Sequence, residues 1–177
     1  MRFGEMSLLA VPVALALSAA SAFAQKPAQL TDPQIVHVAY TAGEIDIKAA
    51  QQAEQKSQNG QVRQFAQDMV RDHTAVNDKA LALVKKLNVK PEDNEVSRSL
   101  LKQADEERAK RSKLNGAAFD KAYAEHEVAY HKKVNGALQS TLIPSAQNSE
   151  LKGLLQTRLQ IFQGHEQHAE QLASSLK

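Results

Sequence analysis

Between about Gln61 and Leu87 an apolar stripe runs with a single polar interruption. Val62, Ala66, Met69, His73, Val76, Ala80, Leu83 and Leu87 recur every three or four residues, which puts them on one face of an α-helix and requires that face to be buried. The interruption is His73. A buried imidazole left without a partner costs about 1–3 kcal/mol, so other elements must bring polar groups to its depth. A chain organised around such a helix has to be a multi-helix assembly with a polar layer in its core.

The remaining segments follow the same rule. β-Branched and aromatic residues are scarce, Ala, Gln, Lys, Glu and Leu dominate, and no useful period-two alternation occurs, so the fold class is all-α. Asp32-Pro33 reads as a cap followed by proline at the first helical position, opening a helix that ends near Asn59-Gly60. The central helix stops at Asn88, before Pro91. A third, shorter helix spans roughly Asn94 to Leu114, with a thin stripe of Val96, Leu100, Ala104 and Leu114. A fourth runs from about Ala117 to Leu142, ahead of Pro144, and the last opens at Asn148 with Glu150 in its first turn. The four longer helices have matched lengths of about 40 Å, as a four-helix bundle needs. The shorter one suits a crossover lying along the bundle, which would make the second and fourth helices parallel, the ferritin-like arrangement. A plain up-down bundle with an added hairpin is the alternative.

Residues 1–24 read as a secretory signal peptide. Met1-Arg2 is weakly positive, Ser7 to Ala20 is an apolar run, and Ala22-Phe-Ala24 is a small-x-small cleavage site. The run is shorter than the roughly 20 apolar residues of a spanning helix. Cleavage between Ala24 and Gln25 leaves residues 25–177 as one helical-bundle domain with no transmembrane segment, at a periplasmic address, with secretion the alternative. The chain has no cysteine, which excludes disulfides and thiolate metal sites. Its net charge of +2 is too small to specify an acidic partner. The basic run Arg108 to Lys113 follows Asp105-Glu-Glu107 and reads as a solvated helix face, so nucleic acid is not expected. No pattern identifies a partner protein or an oligomeric state.

Each long helix interrupts its own stripe with polar residues. In the first, Ile35, Ala39, Ala42, Asp46, Ala49 and Ala53 share a face; in the fourth, Ala124, Glu127, His131, Val134 and Leu138. In the last, Leu151, Leu155, Arg158, Phe162, His165, Ala169 and Leu172 line up, with His168 on the next row. The depths agree: Asp46 and His73 stand 13 residues to either side of the Asn59-Gly60 turn, and Glu127 and His165 are both 19 residues from position 146. His131 is one turn from Glu127. Gly43 and Gly164, beside Asp46 and His165, would let backbones approach. His37 and His126 fall off the stripes and read as exposed.

Over nearly the whole mature chain these residues resemble the exported, ferritin-like helical bundles of family 4142 of the domains of unknown function. The matching pieces are Asp46-Ile47, where the family usually has Glu then Val; Val62-x-x-Phe65-Ala-Gln-x-Met-Val-x-Asp72-His73-Thr74; Phe119-Asp120-x-Ala-Tyr123 with His131 eight residues on; and Leu159-x-x-Phe162-x-x-His165-x-x-x-Ala169. Gln160 stands where the family tends to have proline. The resemblance implies the fold and export, and no known activity.

Imidazoles and carboxylates from several helices converging on one point are how bundles bind transition metals. The sequence points to one ion, Fe, Zn, Cu or Ni, held by Asp46, His73, His131 and His165, with Glu127 and Asp72 as a fifth ligand or supporting partners and His168 in support. The Glu-x-x-His spacing of di-iron bundles is absent, since Val70 and Phe162 precede His73 and His165 by three, and no Cys-x-x-Cys-His exists for covalent haem. No nucleophile stands in a motif beside a base, so the chain reads as a binding protein rather than an enzyme, for metal handling or envelope stress. The alternative is an envelope structural or interaction protein whose buried polar layer only fixes helix packing.

Overall fold

A computed structural model describes residues 29–176; the expected signal segment and its cleavage point lie outside them. The elements are α1 (Asp32–Lys56), α2 (Gly60–Lys86), α3 (Glu95–Ser112), α4 (Gly116–Ala137), a π turn (Leu138–Leu142), the one-turn α5 (Ile143–Ser145) and α6 (Ser149–Ser175), with no strand among the described residues.

Local chemistry sets the helix ends. Thr31, not Asp32, caps α1, in a reciprocal box with Gln34. Asp32 instead accepts from the backbone N–H groups of Gln147 and Asn148, both at 2.8 Å, and so ties the start of α1 to the start of α6. Asn59, Asn94 and Asn148 cap α2, α3 and α6 through their side chains. Asn88 follows α2 at φ 50°, a left-handed position that Asn tolerates and that stops the helix. The fourth helix does not run evenly to Leu142. Pro144 has no N–H to give to the preceding turn, and the chain widens into the π turn just before it.

Contacts at the two ends give the directions. At one end Asn94 Nδ2 donates to the Gln34 carbonyl and Gln147 meets Asp32; at the other Lys56 Nζ donates to the Ser112 carbonyl and Ser175 reaches Gln61. α2 and α4 therefore run parallel to each other and antiparallel to α1 and α6, with α3 returning the chain along the bundle. α3 is held differently from expectation. Val96 is 45% exposed, and its buried residues are Ser97 and Arg111. The helix is fastened by polar contacts, among them Gln52 Nε2 to the Arg108 carbonyl at 3.0 Å.

The core has two apolar halves. One gathers Ala49, Ala53, Val62, Phe65, Met69, Phe119, Tyr123 and Leu172; the other gathers Ile35, Ala39, Val84, Leu138, Leu151, Leu155 and Phe162. The polar residues of the four stripes lie between them. No described helix is long and apolar enough to cross a membrane.

Candidate metal centre

Asp46 from α1, His73 from α2, Glu127 and His131 from α4 and His165 from α6 meet at mid-bundle, because each replaces an apolar member of its stripe at the same depth. All five are buried. Their ligand atoms form two overlapping groups, His73 with His131 and His165, and Asp46 with Glu127 and His131, each within 4.8 Å of one another. His131 belongs to both. Glu127 thus stands among the converging groups rather than behind them.

The orientation of the imidazoles follows from their outer partners. His131 Nδ1 lies 3.0 Å from the Glu127 backbone carbonyl, which can only accept, so Nδ1 carries the proton and Nε2 turns a lone pair into the centre. His165 Nε2 donates to Asp72 Oδ2 at 3.1 Å, leaving Nδ1 as its free nitrogen. Carboxylate and carbonyl partners of this kind fix the ring and tautomer of a metal-binding histidine. His73 is held between rings, stacked on Phe162 at 4.3 Å and on His165 at 5.3 Å.

The inward-facing atoms do not all satisfy one another. His73 Nε2 comes within 2.7 Å of Asp46 Oδ2, an ion pair when the ring is protonated, and His131 Nε2 lies 3.5 Å from the same oxygen. Both oxygens of Asp46, both of Glu127, both nitrogens of His73, His131 Nε2 and His165 Nδ1 have no hydrogen-bond partner among the described residues. That is a dense set of buried polar atoms in one layer, with more acceptors and lone pairs than the protons of Glu127 and the rings can pair.

Electrostatics separates the two central carboxyls. Burial opposes ionisation of Asp46, but His73 and then His131 outweigh it and hold its pKa below the ordinary range. Burial, and then Asp46 beside it, raise Glu127 well above the carboxylate range, so it stays neutral. Burial lowers His131, and burial with His73 and His131 lowers His165 to about 4. Both are neutral at physiological pH, the form in which an imidazole binds metal.

The other expected residues are placed as follows. Asp72 stands at the rim, clamped by Arg71 and bonded to His165. His168 does not support the centre: it is exposed, and its ring lies edge-on to Phe65 at 4.9 Å, because the next row of α6 faces outward. Gly164 has open space around it and permits no close approach, whereas Gly43 admits Asn77 and Arg158 against the backbone. His37 and His126 are half-buried rather than exposed.

Two buried arginines were not among the expected site residues. Arg158 is 2% exposed, donates to neutral Asn77 Oδ1 at 3.1 Å and lies 4.9 Å over the Phe162 ring. Its position two turns before His165 on the same stripe was the available signal. Arg111 of α3 is buried near Glu127 and Tyr123, and the apolar pattern of α3 gave no sign of it.

Comparison with known families decides the chain's place. The family described as Domain of unknown function (DUF4142) matches residues 16–172. The chain belongs to this family. The DUF4142 match takes in all five converging residues. No curated protein matches the sequence, and no solved structure matches the fold.

Proposed function

We propose that this DUF4142 protein is an exported, ferritin-like bundle that binds one transition-metal ion at the mid-bundle centre, in metal handling or in the response to envelope stress. One observation carries the reading: five buried residues bring ligand atoms together in two overlapping groups, each within 4.8 Å, and eight of their nitrogen and oxygen atoms lack hydrogen-bond partners. A divalent ion supplies a partner to one ligand atom of each residue that holds it. His73, His131, His165 and Asp46 would hold it, with Glu127 closing the set. An imidazole-rich set with carboxylate suits Zn, Cu, Fe and Ni. Two carboxylates balance a dication, so binding draws the proton off Glu127. Ligand atoms within 4.8 Å of one another in each group are close to the separation that two bonds of about 2.1 Å to a shared ion require. The parallel α2 and α4 joined through α3 support the ferritin-like topology, and Ala22-Phe-Ala24 supports export.

The test is elemental analysis and titration calorimetry of untagged protein recovered from the periplasmic fraction, beside His73→Ala. The wild type should carry or take up one equivalent of metal, and the variant none. A wild type that refuses every divalent ion, while His73→Ala only lowers the melting temperature, would leave the layer as a packing device. Recovery in the cytoplasm with residues 1–24 still attached would refute export.

A further inference from the structure

Of the five converging side chains only that of His165 reaches solvent. The side chains of Asp46, His73, Glu127 and His131 are 0% exposed, while those of His165 and Asp72 are 9% and 32% exposed. The line from solvent to His73 therefore passes between α2 and α6. Along that edge the polar groups form a connected chain. Gln64 Nε2 donates to Asp68 Oδ1 at 3.4 Å, and Arg71 Nη1 donates to the same oxygen at 2.6 Å. Arg71 Nε and Nη2 grip the two oxygens of Asp72 at 2.8 and 3.1 Å, and Asp72 Oδ2 also accepts from His165 Nε2. Past Gln64 the edge opens into a groove lined by Gln61, Gln64, His168 and Gln171. His165 Nδ1, at the inner end of this chain, is buried and without a partner.

We propose that the α2/α6 edge is the route by which a divalent cation reaches and leaves the centre, with Asp72 and His165 as the capturing pair and Arg71 as the latch upon them. The inference rests on the reading of the centre as a metal site. At rest both oxygens of Asp72 are engaged by the Arg71 guanidinium, and a cation has to displace it. Arg71 is 65% exposed and free to swing into solvent, so the latch can open without moving a helix. A cation on Asp72 then meets the His165 ring, which lies within stacking distance of His73, and passes inward by rotation of that ring. Arg71 contributes nothing to the ion's final coordination. Its loss should therefore change rates and leave the equilibrium alone.

The experiment follows cobalt(II) uptake by stopped-flow visible absorbance, and its removal by excess EDTA, on the metal-free mature protein. Arg71→Ala should raise both rates by about three- to fivefold with Kd unchanged within about twofold, as expected from loss of a largely exposed ion pair. Asp72→Asn should slow uptake and weaken binding by about tenfold or more, as for other partners of ligating histidines. Arg98→Ala, which breaks a comparable exposed pair between α3 and Asp93 of the preceding loop, and Val84→Ala, which loosens the core away from the edge, should keep wild-type rates. Wild-type rates in Arg71→Ala and Asp72→Asn with intact cobalt binding would overturn the route and leave the metal reading standing. Val84→Ala accelerating exchange as much as Arg71→Ala would show that ions enter by opening of the bundle, and would also overturn it. A wild type that binds no cobalt removes both.

Discussion

Gly43→Ala and Gly164→Ala are one chemical change on two long helices, and they should move stability in opposite directions. In an unobstructed helix interior the change stabilises by about 1 kcal/mol. Gly164 is exposed, and an added Cβ would meet nothing within 4 Å, so that gain is realised there. At Gly43 the Cβ would lie 2.7 Å from Asn77 Cγ and from Arg158 Nη2, and closer still to Asn77 Oδ1. Neither neighbour can retreat freely. Asn77 is 3% and Arg158 2% exposed, and Asn77 Nδ2 is committed to Glu44 Oε1 at 2.9 Å. Overpacking a filled core costs about 1–3 kcal/mol. Pushing Asn77 off Arg158 removes a hydrogen bond to a buried cation, worth about 1.5–3 kcal/mol. After the helix gain is subtracted, roughly 2–5 kcal/mol of destabilisation remains. In a domain of this size that lowers Tm by about 5–20 °C. Urea unfolding followed by far-UV circular dichroism, fitted with a common slope, measures both variants against wild type. Gly43→Ala as stable as wild type would mean that the Asn77–Arg158 pair shifts at no cost, and the close-approach reasoning would fail.

Glu127→Gln should leave metal-free stability within about 1 kcal/mol, because Glu127 is already neutral, yet weaken metal binding at least tenfold by removing the anionic oxygen; calorimetry beside a thermal scan separates the two effects. The metal-free protein should lose stability on acidification. His126 and His165 are lowered to about 4, chiefly by burial, with Arg111 opposing the charge of the first and His73 that of the second. The unfolded chain takes up those protons near pH 6.5, so this stability is complete above about 6.5 and is lost as pH falls from there to about 4. The urea midpoint should track that window, with His126→Phe flattening it, and a level midpoint across the window would refute the assignment. Metal at about 100 times its Kd should stabilise the wild type by about 2.7 kcal/mol and His73→Ala not at all; equal shifts in both would place the ion elsewhere.

The fold and the core of the candidate site were readable because both rest on periodicity. Every residue of the α1 and α6 stripes is buried, and counting from the turns put Asp46 beside His73 and Glu127 level with His165. Helix depth is linear in residue number, so a sequence carries it directly. What it does not carry is contact between non-neighbouring faces. Nothing local says that Asn77 lies under Gly43, that Arg111 reaches in from α3 or that Asp32 ties down the α6 turn, since each depends on how two helices are rotated about their axes. The same ambiguity misplaced His168. One row from a buried stripe on α6 is solvent, whereas Asn77, also one row off its stripe, is core. Glu127 reads from the sequence as a fifth ligand or a supporting partner, and only the three-dimensional angle between it and His131 separates a ligand from its neighbour.

The buried arginines give the centre an electrostatic bias that its five converging residues alone would lack. Arg158 is screened from solvent, bonded to a neutral amide rather than a carboxylate, and separated from His73 by one aromatic ring. Arg111 stands near Glu127 on the other flank. Charge fixed in a medium that reorients less than water is screened less, and acts more strongly on whatever sits nearby. An ion with two accessible oxidation states would therefore be held preferentially in the lower one. Its reduction potential would be raised relative to the same ligands in water, and replacing Arg158 with methionine would shift it back down.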